Sequence, residues 1–240
     1  MSSLEAHLRR QTDHSRDFFW HRLRWRAVAS HLARSEPFQL LDVGAGAGLL
    51  GVFLNRDFPL ATYRFLEPIE SLQRHLESTY GAAANAIGLS SYDHIQYVAL
   101  LDVLEHQPRD HHFLGELLQK MARGSMLIVT VPALMSLWSG WDVALGHHRR
   151  YDRKSFRRTI AGLPVDLIEL SYLFPEMIPL AVLRKWLRNS SSNGDAPDEA
   201  AFPDLPLIVN DGLYALGSVS LAIRGYVPAG SSLLAVLRKS

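Results

Sequence analysis

The chain has 240 residues, enough for one well-buried domain with a small elaboration and too few for two ordinary domains. A hydrophobic share of 48%, a charged share of 20% and a formal charge of +1 exclude a disordered, collagen-like or polyelectrolyte chain; no nucleic-acid partner is expected, and any membrane contact would be peripheral. Cysteine is absent, which rules out disulfides, thiolate nucleophiles, Cys-ligated zinc and iron–sulfur clusters.

Residues 1–17 are polar and offer no apolar segment of signal-peptide type, and no apolar run reaches the roughly 18 residues of a spanning helix, so a cytoplasmic location is expected. Residues 4–34 alternate apolar side chains with arginines at helical spacing, predicting an N-terminal helical elaboration over 1–36 that Pro37 ends. The period then changes. Residues 38–43 (FQLLDV) read as a buried parallel strand feeding a glycine turn and a helix from about Gly48. Strands are predicted over 62–66, 95–101 and 126–131, with helices over 69–80 and 110–121, and AAANAI (82–87) offers a poor candidate for a further strand.

Repeated βα units of this kind predict a parallel sheet with helices on both faces over 37–240. After Pro132 comes a Trp-, His- and Arg-rich segment, 133–152, longer than most connections and therefore a candidate functional loop. A helix over 153–161, a strand over 165–170, a helix over 207–223 and a strand over 232–237 complete the pattern. Between them, 172–206 is a candidate substrate-side lid: 172–187 is apolar with a basic end, suited to packing or to an interfacial contact, and 188–206 has surface-loop composition.

The glycine turn reads in two registers. Gly46-x-Gly48-x-x-Gly51 matches a dinucleotide fingerprint, with Glu67 at about the expected 20 residues beyond, which allows an NAD(P)-dependent oxidoreductase. The other register is Asp42-x-Gly44-x-Gly46-x-Gly48, a carboxylate followed by alternate glycines. Glycines without Cβ atoms let a ligand approach the backbone, and a carboxylate there suits a cationic ligand while repelling a pyrophosphate. Glu67, at the end of the next strand, can accept two ribose hydroxyls at once.

This second register resembles motif I of the class I S-adenosylmethionine (SAM) dependent methyltransferases. The segment LLDVLEH (100–106) is similar to the family's segment after the fourth strand, and Trp141-x-x-x-x-Gly146-His147-x-Arg149-Arg150-Tyr151 resembles a loop of small bacterial methyltransferase-domain proteins. The resemblance implies a Rossmann-like three-layer αβα sandwich with a seven-stranded, mostly parallel sheet and an antiparallel last strand. It implies SAM as cofactor, bound by Asp42, Gly44, Ala45, Gly46, Gly48, Glu67, Pro68, Asp102 and Val103. Where the family commonly has an acidic adenine contact after strand three, this chain has Leu89, Ser90 and Ser91.

Methyl transfer from a sulfonium is an in-line displacement in which alignment contributes up to roughly 7–11 kcal/mol and a general base a further ~10²–10⁴-fold. His106, His147 and Tyr151 are the catalytic candidates, and Trp141, His148, Arg149 and Arg150 the acceptor-binding ones, the arginines offering bidentate forks to an anionic group. The acceptor would be a small molecule or a saccharide- or lipid-linked one. His7, His14, His21, His31 and His75 lie in predicted amphipathic helices and are expected at the surface. Asp102-x-x-Glu105-His106 is also similar to the spacing in metal-assisted O-methyltransferases of quinone biosynthesis, although a plain strand-end turn accounts for it. A SAM-binding scaffold without catalysis is the non-enzymatic alternative.

Overall fold

The computed structural model describes residues 17–190 and 205–240. The start of the N-terminal helical segment, with His7 and His14, and most of the 188–206 loop lie outside the described residues. Helix α1 (Phe19–Ala29) precedes an alternating series: β1 (Phe38–Val43), α2 (Leu49–Asp57), β2 (Ala61–Leu66), α3 (Glu70–Tyr80), β3 (Tyr97–Leu101), α4 (Asp110–Lys120) and β4 (Met126–Pro132). Then follow α5 (Gly140–Leu145), α6 (Arg153–Thr159), β5 (Val165–Leu173), α7 (Met177–Ser190), α8 (Leu207–Ala222) and β6 (Ser232–Lys239).

The strands form a six-stranded sheet in the order β2-β1-β3-β4-β6-β5. Neighbours among β1 to β4 are parallel, and β6 runs antiparallel to both β4 and β5. The antiparallel last strand matches expectation, but the expected count of seven strands is corrected to six. The missing strand is AAANAI: Ala82–Ala84 wind into a 3₁₀ turn, and only Asn85 pairs with β2, as an isolated bridge to Phe65. The Asn85 side chain accepts from the Ile87 N–H, closing a local turn that competes with a ladder.

Alternation along the central strands explains the three layers. Leu40, Ala99, Ile128, Leu234 and Val236 point into one core shared with α1, α2 and α8, whereas Leu41, Val98, Leu100, Val129 and Ala235 point into a second core shared with α4 and α6. A strand that must be apolar on both faces reads as a continuous hydrophobic run, as FQLLDV and MLIVTV do.

Parallel register brings the carboxyl ends of β1, β2 and β3 to one edge of the sheet, with Val43 opposite Leu66 and Asp42 opposite Ala99. The turn after β1, Glu67 after β2 and Asp102 after β3 therefore share one rim, where open α/β sheets bind ligands. The loop expected over 133–152 is more ordered than its composition suggested. It holds a 3₁₀ turn and then α5, whose start is closed by a capping box between Ser139 and Asp142. Among the described residues no helix is long and apolar enough to cross a membrane.

Candidate functional site

A cavity of about 700 Å³ opens at this rim, an ordinary volume for a cofactor with a small substrate. Its floor is the turn after β1, where Gly44, Gly46 and Gly48 all have positive φ. A Cβ on Gly44 would lie 2.6 Å from Val103 Cγ2, so only glycine lets the turn pass under the segment after β3. Asp42, Gly44, Ala45, Gly46, Glu67, Pro68, Asp102 and Val103 all line the cavity. Gly48 does not: a Cβ there would lie 2.5 Å from Leu76 of α3, and its carbonyl accepts from the Tyr80 hydroxyl at 2.8 Å. Its glycine serves helix packing.

The carboxylates of the floor are held differently. Asp42 is buried and accepts from the Tyr63 hydroxyl at 2.9 Å. Glu67 accepts from Gly46 N–H at 2.7 Å and from Ile69 N–H at 2.8 Å; burial raises its pKa against these two bonds. Each of its oxygens keeps a second lone pair for a ligand hydroxyl. Asp102 has φ +56, a conformation that L residues rarely adopt, and it is fixed there by an ion pair with Arg24 and by Thr130 Oγ1, which donates to it at 3.1 Å.

Arg24 itself comes from α1. The sequence reading missed it, because an arginine on an amphipathic helix looks like any solvated one. His21, expected at the surface, is buried and lines the cavity beside it, and His31 contacts Glu169 at 3.0 Å; His75 is exposed as expected. The causes differ by residue: His21 and Arg24 turn to the cavity and its rim, whereas His31, just past α1, meets β5 through Glu169.

The acceptor-side candidates divide. His106, Trp141, His147 and Arg150 line the cavity, together with Met177, Leu180 and Ala181 of α7. Tyr151, Arg149 and His148 do not line it. Tyr151 is a core residue whose hydroxyl donates to Asp110 at 2.8 Å, and burial first, then that bond, raises its pKa. Arg149 pairs with the same Asp110 at 2.8 Å and donates to the Pro108 carbonyl, so both residues clamp the segment to the start of α4. His148 contributes a backbone N–H to the Glu105 carbonyl at 2.9 Å. Arg149, Arg150 and Tyr151 alternate as extended chain does, Arg150 facing the cavity and its two neighbours facing α4, whereas His147, just past the end of α5, turns to the cavity outside that alternation.

Two further carboxylates emerge at this end. Asp142 is fully buried and accepts from His147 Nδ1 at 2.9 Å, from Arg150 Nε at 2.7 Å and from Ser139 N–H at 2.9 Å. Burial pushes its pKa up, but these hydrogen bonds prevail and hold it below the ordinary value. The spacing Ser139-x-x-Asp142 was the available signal for it. Glu105 is fully buried and its pKa is pushed well up by burial and by Asp102, against weaker opposing effects of its own backbone N–H and of Arg24 and Arg150. His106 is lowered to about 4 by burial and by the neighbouring His147, so its imidazole is neutral at physiological pH.

No protein-family model and no curated protein matches the chain by sequence. Solved structures do match in fold. A chain of the complex between the Haloferax volcanii Trm112 methyltransferase activator and its candidate methyltransferase superposes with a TM-score of 0.62 at 13% identity, over 99% of this chain and 95% of that one. Geranyl diphosphate C-methyltransferase from Streptomyces coelicolor, solved with Mg²⁺, geranyl diphosphate and S-adenosyl-L-homocysteine, gives 0.53 at 13% identity, covering 90% and 78%. The [4+2]-cyclase SpnF gives 0.56 at 14% identity, covering 91% and 80%. The chain therefore has the α/β Rossmann-like fold found in these methyltransferases and in a cyclase.

Proposed function

We propose that this protein is a SAM-dependent methyltransferase acting on a small or a saccharide- or lipid-linked acceptor. The observation that carries the reading is the convergence on one cavity of the Cβ-free turn, Glu67 and the Arg24–Asp102 pair, from α1 and the ends of β1, β2 and β3. The pair presents a guanidinium and a carboxylate side by side, complementary to the α-carboxylate and α-ammonium of the cofactor's amino acid. Glu67 would accept the ribose hydroxyls with its remaining lone pairs, and Asp42, when ionised, adds negative charge beneath the turn. When bound, SAM supplies an electrophilic methyl group on its sulfonium. Around it, Val103, Leu137 and Trp141 give the cavity apolar walls that exclude water, while His106, His147 and Arg150 border the acceptor end.

The nicotinamide reading fares worse on the same geometry. Its pyrophosphate would have to sit at the turn, where Gly46 N–H already donates to the Glu67 carboxylate and Asp42 lies beneath. Calorimetric titration with S-adenosylhomocysteine (SAH), SAM, NADH and NADPH tests the choice: SAH and SAM bind and the nucleotides do not, and Arg24→Ala and Glu67→Ala each weaken SAH by about tenfold or more. Binding of NADH without SAH or SAM overturns the proposal. The fold likeness to a cyclase makes a second assay necessary. Transfer of labelled methyl from SAM to a cell-extract component supports catalysis, and SAM binding without any transfer leaves only the scaffold.

A further inference from the structure

At the acceptor end, Glu105, His106 and His147 each offer one ligand atom within 4.8 Å of the other two. Glu105 lies in the 3₁₀ turn Leu104–His106 just beyond β3, and neither oxygen of its buried carboxyl has a hydrogen-bond partner in another residue. Left without a partner such a group is costly to a fold, and a bound cation would satisfy it. Nearby cations are committed elsewhere. Arg24 is paired with Asp102, and Arg150 gives Nε to Asp142 and Nη1 to the Ala133 carbonyl.

One of the two imidazoles is held as metal-bound histidines are held, with a carboxylate hydrogen bond that fixes its ring. His147 Nδ1 meets the Asp142 carboxylate at 2.9 Å, which directs Nε2 toward Glu105 Oε1 at 3.9 Å, beyond hydrogen-bonding reach. The His106 and His147 rings stand 4.8 Å apart between centroids, nearly edge to face. Ligand atoms around a tetrahedral ion with bonds near 2.0–2.1 Å lie roughly 3.3 Å apart, so the three side chains would have to draw together somewhat around a bound ion. Asp102, the acid that the sequence spacing grouped with Glu105 and His106, takes no part: its oxygens are engaged by Arg24 and Thr130.

We propose that Glu105, His106 and His147 form a two-histidine, one-carboxylate site for a divalent transition-metal ion, with Asp142 as the positioning residue behind His147. Two imidazole donors favour Zn²⁺ or a neighbouring first-row ion over Mg²⁺. Three protein ligands leave positions facing the cavity, and there, on the methyltransferase reading, an oxygen of the acceptor would complete the coordination. The imidazoles then serve as ligands instead of proton acceptors.

The test is metal binding by the full chain, dialysed first against a chelator. Titration with ZnCl₂ is expected to show one tight site, and CoCl₂ a visible d–d absorption that no thiolate obscures, since the chain has no cysteine. Glu105→Gln and His147→Ala should each weaken the site by about 100-fold and Asp142→Ala by roughly 10–100-fold, whereas the exposed His112→Ala should leave it unchanged. SAH binding, followed in parallel, reports whether each variant is folded, and His106→Gln replaces any variant that is not. Absence of Zn²⁺ and Co²⁺ binding, or binding indifferent to Glu105→Gln and His147→Ala, overturns the proposal. A chain that binds SAH but no metal fails here alone, and one that binds Zn²⁺ but not SAH or SAM fails only as a methyltransferase.

Discussion

Burial lifts the Asp42 carboxyl from its ordinary 3.8 to about 7, against the pull of the Tyr63 hydrogen bond and of Arg24, with the nearby Glu67 adding to the rise. The folded chain thus binds this proton more tightly than the unfolded chain does. Its contribution to stability is fully present below about pH 4 and is lost as pH rises through about 7. Asp42→Asn keeps an oxygen for the Tyr63 hydroxyl and removes the ionisation. In the ligand-free protein it should raise the melting temperature at pH 8, by a free energy on the order of a few kcal/mol, and make little difference at pH 4. The same change removes negative charge beneath the turn, so SAH should bind more weakly at pH 8. Thermal unfolding and calorimetry across pH 4–8 check both, and parallel melting curves for the two proteins across that range would refute the assignment.

Among the elements, the segment between β4 and α6 shows what a sequence does and does not display. Period and composition marked β1, β3, β4 and their helices, because strands apolar on both faces and helices apolar on one have different repeats. The glycine turn and Glu67 were legible too, since their chemistry follows one local rule. In 147–151 the residue types were visible but not their direction: His147 and Arg150 face the cavity while Arg149 and Tyr151 clamp α4. Direction is set by a backbone bridge of Tyr151 to Ala133, a tertiary contact with no local signature. Arg24 escaped for the same reason. Tyr151→Phe should therefore cost about 1–3 kcal/mol in denaturant unfolding, through loss of a buried bond to a carboxylate, while leaving SAH affinity within a factor of about two. Arg150→Ala should instead raise the acceptor KM with little change in SAM affinity, because it empties the cavity wall and releases Asp142. Interchanged outcomes would mean that the assignment of faces is reversed.

At the scale of the whole molecule, α1 is a wall of the cavity and not an appendage to it. Phe18 to His21 and Arg24 line the cavity, and Phe19, Leu23, Trp25 and Val28 enter the core that α2, α8 and the sheet share. The start of α1 has no side-chain cap of its own. Asn210 of α8, distant in sequence, supplies it instead: its Oδ1 accepts from Phe19 N–H at 2.8 Å and its Nδ2 donates to the Asp17 carbonyl at 2.9 Å. Trp25 Nε1 donates to Asp57 at the end of α2, fixing the other end of the helix. The register of α1, and with it the position of Arg24 over Asp102, is thus set by a residue that never meets the cavity. Asn210→Ala leaves the Phe19 N–H without its acceptor and should lower stability by about 1–2 kcal/mol. It should also weaken SAH by several fold, with Asn210→Asp, which retains the acceptor, lying between. If Asn210→Ala loses stability but keeps full SAH affinity, α1 docking and the cofactor site are uncoupled, and Arg24 holds its place through the apolar contacts of α1 alone.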